Sequence, residues 1–422
     1  MRIEGLENVV LPRMYRIKQK FPDLVLGDIP GKIREEMART RIRERVAGGK
    51  RVAVAVGSRG INNIALIVKT VVEEIKRYGG RPFIVPAMGS HGGATAEGQR
   101  EVLESYGITE EYAGAPIISS MEVVSLGRTD KGVEVFMDKE AYGADAIIAI
   151  NRIKLHTDFR GDIESGVVKL LAIGLGKHKG AANIHRYGAW GLREHITEVA
   201  RVMIEKAPVA LGVGIVEDAY DHTAIIEAME PQEIEEREKR LLSKQRELMP
   251  SLPLDKIDVL IVEEMGKNVS GCGMDTNVIG RIKIKGVPDP ERPDIEVVVV
   301  LDLTEESHGN AVGIGLADLT TRRLVNKIDF EQMYANCITS TFPERGKIPV
   351  TLETDELAIK TAFLWIGPVD SQEAKVIRIK NTLELSDMYV SEACLRELKG
   401  RSDIEVLEGP VEIQFDGEGK LL

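Results

Sequence analysis

The chain has 422 residues, of which 43% are hydrophobic and 29% charged, with a formal net charge of −11. That length suits two or three domains of roughly 150 residues each, and the composition is that of a soluble globular protein. The acidic balance argues against nucleic acid or a membrane surface as partner, and three widely spaced cysteines, Cys272, Cys337 and Cys394, exclude a disulfide framework or zinc ribbon.

The N-terminal residues lack the apolar core of a signal peptide, and no apolar run reaches membrane-spanning length, so a cytoplasmic protein is expected. Abundant Glu, Lys, Arg, Ile and Val hint at a thermophile.

In chain order, residues 31–47 predict one helix, with Ile33, Met37, Ile42 and Val46 on a shared face. A short apolar strand at 51–56 stops at Gly57-Ser58-Arg59-Gly60, and a helix follows over 62–78. The next strand, 81–87, runs into the loop Met88-Gly-Ser-His-Gly-Gly93, after which Thr95 caps a helix to Tyr106. Strand-like segments at 116–126, 132–137 and 145–150 lead to the most unusual stretch, 151–185, which concentrates three of the seven histidines and several lysines among glycines. A helix at about 189–206 and a strand at 209–216 complete the series. Strands alternating with helices indicate βαβ units and a mostly parallel sheet.

The charge-dense helix 230–249 reads as a bridge, with a domain boundary near Ser251. The second half restarts with a strand at 257–262, the Gly-rich loop 265–273 and a strand at 295–301. Helices are predicted at 316–324, 329–336 and 353–365. The fold class is therefore α/β in two domains. Residues 1–250 are expected to form a Rossmann-like α/β domain and residues 251–422 a second α/β domain.

Ligands of open parallel sheets bind at the carboxyl ends of the strands, which is where loops 57–60, 88–93 and 151–185 fall. Gly57, Ser58, Arg59 and Gly60 suit a phosphate or carboxylate at a helix start, or form a plain turn with a surface arginine. The spacing is neither GxGxxG nor a P-loop, so NAD and ATP receive little support. His91 sits between small residues that leave its ring accessible, as loop residues that serve sites often do. Lys169, flanked by apolar residues, is a nucleophile if partial burial lowers its pKa, or a lysine snorkelling from a helix edge. Lys177, His178 and Lys179 read as a solvated basic loop, His195 and His222 as structural, and Cys272 as a small buried residue.

Assembled, these residues resemble the nickel-dependent lactate racemase family over most of the chain, most strongly from Arg51 to His185. The Gly-x-His loop ahead of a helix ending in Tyr-Gly falls on His91, with Tyr106-Gly107 in place. The second family histidine, after an apolar strand, falls on His156, the cofactor-tethering lysine on Lys169, and the histidine of an Asn-His pair on His185. The arginine of the family's phosphate and substrate loop falls on Arg59, with Ser58 in place of a threonine. The resemblance implies a nickel-pincer nucleotide, a nicotinate-derived ring with two sulfur-bearing arms that grip nickel. It implies His91 and His156 as paired acid/bases, Lys169 as the covalent anchor, with Lys177 or Lys179 as alternatives, and His185 as the nickel ligand. It implies too that residues 1–250 hold the cofactor and catalytic residues, that residues 251–422 contribute substrate contacts, and that the active-site cleft lies between them. Cofactor-synthesis enzymes are implied as partners, and a homo-oligomer is left open.

Three departures point to a homologue with a different substrate. The aspartate of the phosphate loop is replaced within Val56-Gly57, the proline after the lysine is missing, and the spacing from His156 to Lys169 is longer. The expected activity is racemisation or epimerisation of a 2-hydroxy acid, lactate-like or larger, with Lys267, Asp275 and Asn277 as further substrate contacts. The competing readings are a divalent-metal hydrolase or lyase using the same histidines directly, and a non-catalytic anion- or nucleotide-binding protein.

Overall fold

The computed structural model describes residues 5–57 and 60–422, and these divide into two compact units. One comprises Pro22–Met249. The other comprises Pro250–Leu422 together with the N-terminal segment up to Phe21.

The Pro22–Met249 unit is built on a five-stranded sheet in the order Arg81–Pro86, Arg51–Val56, Ala146–Arg152, Val209–Glu217, Thr223–Met229. All neighbours are parallel except the last pair. The chain order along the sheet therefore reverses between Arg51–Val56 and Ala146–Arg152, which makes a topological switch point at their carboxyl ends.

Alternation along the strands builds two cores. Val52, Val54 and Val56 face one side, where helix Ile64–Arg77 buries Ile64, Ile67, Val68, Val71 and Ile75. Ala53, Ala55 and Ala149 face the other side, where the chain from Val167 to Leu175 packs. Small side chains on that face let a backbone segment approach the sheet closely.

Two sequence expectations change here. Residues 31–47 form two helices, Ile29–Ala38 and Ile42–Val46, because Thr40 folds its hydroxyl back onto the Met37 carbonyl and ends the first. The charge-dense helix, Ile234–Leu248, is no free bridge. Ile234, Leu241, Leu242 and Leu248 lie in the core beneath Val167 and Val168.

The second unit carries an eight-stranded sheet: Val350–Leu352, Leu319–Thr321, Asp294–Leu303, Lys256–Met265, Val376–Ile379, Asp387–Ser391, Met14–Gln19, Ile404–Val411. The first five strands are parallel and the rest antiparallel. Strand Met14–Gln19 pairs with both Asp387–Ser391 and Ile404–Val411. Residues 14–19 thus belong with this sheet and not with the N-terminal domain expected over 1–250. The helix expected at 316–324 is instead the strand Leu319–Thr321 followed by the short helix Arg322–Asn326. The β-branched pair Thr320-Thr321 extends a parallel ladder, and Thr321 caps the helix by accepting from the Leu324 N–H at 3.1 Å.

All three cysteines are buried and unpaired with one another. Among the described residues, no helix is long and apolar enough to cross a membrane.

Candidate active site

The loop after Ala146–Arg152 is closed at its neck by a two-way backbone bridge between Lys154 and Ser165. Inside it, Glu164 is fully buried. Its carboxylate accepts from the His156 N–H at 2.7 Å, the Gly161 N–H at 3.2 Å and Arg246 at 2.9 Å. Arg160 closes the other side by donating to the His156 carbonyl at 2.6 Å. The loop is thereby held by charge-assisted bonds and presents His156, Asp158 and Arg160. Glu164→Ala leaves the His156 and Gly161 N–H groups without this acceptor and is expected to cost about 2–3 kcal/mol, read as a lower urea midpoint at unchanged m.

Lys169 ends the short helix Val167–Lys169, and the chain then passes into a π-helical turn, Leu170–Gly174, closed by the Leu175 N–H onto the Leu170 carbonyl at 2.8 Å. Such turns are rare and concentrate at functional sites. Beneath the helix start, the buried Glu238 accepts from the Val168 N–H at 2.9 Å, and burial pushes its carboxyl up to about 7. The carboxylate presses so close that a β-carbon at Gly166 would collide with it.

The central contact joins the two pieces. Lys169 Nζ lies 2.6 Å from His156 Nε2. The Asp158 N–H donates to the other ring nitrogen, Nδ1, at 3.1 Å, and the ring stacks on Phe159 with centroids 4.6 Å apart. Burial, and after it the positive charge of Lys169, lowers the His156 pKa well below the ordinary histidine range, so the ring is neutral near pH 7. Lys169 Nζ and His156 Nε2 thus lie within hydrogen-bond distance, and the ring tautomer decides which of the two donates.

His185, at the end of helix Lys177–His185, keeps solvent access. Desolvation by its surroundings, then Lys169, lowers its pKa, with Asp158 opposing. His185 also contributes to the His156 shift, so His156, Asp158, Lys169 and His185 share one electrostatic cluster.

The lowered His156 pKa has a consequence for stability. Below about pH 6.5 the unfolded chain gains a proton at this position that the folded chain does not. Stability is thus expected to fall as pH drops from 6.5 toward the depressed folded value, a loss that His156→Asn removes in part. Thermal melts of both proteins between pH 7 and pH 5 measure it.

The remaining expected site residues distribute as follows. His91 is exposed on the adjacent carboxyl-edge loop. Gly57 is buried against Asn151 and Leu170, and Gly60 is exposed. Ser58 and Arg59 lie outside the described residues. Lys177 corrects the expectation of a solvated loop, since it is 0% exposed within a helix. Its amine is held by the Pro86 carbonyl, Gln99 Oε1 and Asp138, which leaves no lone pair for covalent chemistry. Lys179 lies over the Phe136 ring at the surface. Of the three lysines considered, Lys169 alone adjoins His156.

In the other unit, Lys267 donates to the Gly271 carbonyl at 2.6 Å, and Asp275 caps helix Thr276–Ile279 by accepting from the Asn277 N–H at 2.8 Å. Asn277 turns its Nδ2 onto that same carboxylate at 2.8 Å. Cys272 is buried and donates to the Met274 carbonyl. His195 is buried between Tyr187 and Trp190.

Sequence reasoning missed Asp158, Glu164, Glu238 and Gln99. The first two stand in the His156 loop itself, but nothing in a short polar string says which acid turns inward. Among the described residues, Asp23, Asp218 and His222 form the one His/Cys/Asp/Glu group with metal-like spacing, and it includes none of His91, His156 or His185.

Residues 27–190 match the family model of the lactate racemase N-terminal domain. The lactate racemase apoprotein from Thermoanaerobacterium thermosaccharolyticum is similar in fold, with a TM-score of 0.53 at 13% identity over 88% of this chain and 99% of that one. A protein from Thermotoga maritima aligns with a TM-score of 0.47 at 14% identity over 67% of this chain and 72% of its own. No curated protein matches the sequence. Residues 27–190 thus match the lactate racemase N-terminal domain, and the chain is similar in fold to the lactate racemase apoprotein.

Proposed function

We propose that the protein is a racemase or epimerase of a 2-hydroxy acid that works with a nickel-pincer nucleotide anchored on Lys169. The observation that carries this reading is the 2.6 Å contact between Lys169 Nζ and His156 Nε2, within the segment that matches the racemase domain.

The donor set fits such a group. The Lys169 amine, once deprotonated, is a nucleophile suited to covalent attachment. His185, with its lowered pKa, offers a neutral imidazole, a sound ligand for nickel. Lys154 and Arg160 supply positive charge near the anchor for a phosphate or a substrate carboxylate. When bound, the nickel-pincer nucleotide supplies a hydride acceptor, which lets the C–H bond of a weakly acidic carbon break without a carbanion.

The chain's own residues do the rest. His156 would take the substrate hydroxyl proton at Nε2, which requires the neutral ring to carry its own proton on Nδ1. His91, on the neighbouring loop, serves as the second base, because an inverted stereocentre presents its hydroxyl from the other side. The small-molecule hydroxy acid and the cofactor-making enzymes are the proposed partners.

The test is polarimetric or chiral-chromatographic assay of 2-hydroxy acids by protein co-expressed with the cofactor-making enzymes. Interconversion of enantiomers or epimers by at least one such acid, dependent on nickel, is expected. Absence of interconversion in nickel-containing, cofactor-loaded protein across lactate-like and larger acids contradicts the reading.

A further inference from the structure

The unit formed by Pro22–Met249 buries an ion pair that the chemistry above does not use. Lys177 and Asp138 are both 0% exposed and lie 3.2 Å apart. Lys177 holds a left-handed backbone, φ 54°, which residues with a β-carbon rarely adopt. That conformation starts helix Lys177–His185 with the lysine turned inward instead of toward solvent. Its amine donates to the Pro86 carbonyl at the end of strand Arg81–Pro86, and to Gln99 Oε1 at 2.9 Å.

Gln99 is also completely buried. An ammonium has donors only, so the amide must turn its oxygen toward Lys177 and its NH2 the other way. The NH2 donates to the Gly89 carbonyl at 2.9 Å and to the His91 carbonyl at 3.2 Å. The lysine charge therefore sets the direction of a glutamine that grips both sides of the His91 loop. The same loop is tied to the π-helical turn by the Gly89 N–H on the Gly174 carbonyl at 3.0 Å.

We infer that Lys177 and Gln99 are positioning residues for His91, relaying the buried ion pair into the geometry of the loop that carries it. The inference rests on the proposed role of His91 as a base. A base misplaced by about an ångström loses on the order of 10²-fold in rate, so an exposed loop with this role needs such an internal brace.

Gln99→Glu tests it with little change of shape. The new carboxylate still accepts from Lys177, but it faces the Gly89 and His91 carbonyls with oxygen and repels them. In the cofactor-loaded protein, kcat is expected to fall roughly 10- to 100-fold with KM nearly unchanged, while the covalent mass on Lys169 stays. Independently of any activity, amide exchange over residues 88–93 is expected to quicken about tenfold or more against unchanged exchange in strand Arg51–Val56. Exchange at wild-type rates in 88–93 overturns the inference. If wild-type protein proves inactive, the racemase reading fails and the exchange measurement still decides this one. Gln99→Met, uncharged and of similar length, repeats both measurements should the added charge impair folding.

Discussion

His156→Ala is expected to lower racemisation by about 10²–10⁴-fold, the usual contribution of a positioned acid/base, with the fold retained. The ring is held from three directions: Asp158 fixes Nδ1, Phe159 supports the face, and Glu164 anchors the backbone N–H. Those contacts aim Nε2 at one place, and that place is the anchor lysine. His156→Gln retains a hydrogen-bonding group but no base, so it is expected to fall with the alanine variant. A second effect separates the two roles of the ring. Without His156 the amine of Lys169 loses the 2.6 Å contact to Nε2, and covalent loading is expected to slow even where it still reaches completion. Chiral assay of fully loaded protein isolates the base role, and a loading time course followed by mass isolates the other. Near-wild-type turnover in fully loaded His156→Ala would remove this residue from the chemistry.

Lys169→Arg is expected to abolish activity altogether, a loss on the order of 10⁶-fold or more, the whole of an ordinary enzymatic enhancement. Arginine has a similar reach but cannot act as an amine nucleophile, since it is not deprotonated in proteins. Nickel is expected to leave this variant on dialysis while wild-type protein retains it, as one imidazole from His185 is a weak hold by itself. Retention of nickel and activity by Lys169→Arg would show that attachment does not run through this side chain. Lys177 offers no rescue, because its amine is committed to Pro86, Gln99 and Asp138.

The scaffold was legible in the sequence where side-chain periodicity is strong. The run Val52 to Val56, the helix from Ile64 and the strand before Asn151 all form close to their expected positions, because each buries a continuous apolar face. The carboxyl-edge placement of the loops bearing His91 and His156 followed from that alternation alone. Pairing across the whole chain was not legible. Strand Met14–Gln19 finds its partners some 370 residues away in number, at Asp387 and its neighbours, and no local pattern announces such a match.

Within the site, His156 and Lys169 were readable as a histidine and a lysine near apolar residues, and the resemblance supplied their roles. Their direct contact was not readable, since it depends on the closed neck at Lys154 and Ser165 and on the π-helical turn. Lys177 was misread for a related reason. A lysine between two glycine-containing turns looks solvated until its positive φ and its buried acid, thirty-nine positions earlier at Asp138, are seen together. Glu238 was hidden on a helix whose many charges otherwise face water.

The account depends most on Lys169 being a reactive amine inside the histidine cluster. Peptide mapping by mass spectrometry of wild-type protein, purified after co-expression with the cofactor-making enzymes, tests this most directly. The predicted result is a single added mass carried by Lys169, absent from peptides that contain Lys177 or Lys179 alone. Nickel-containing, active protein whose Lys169 peptide has its unmodified mass would contradict it.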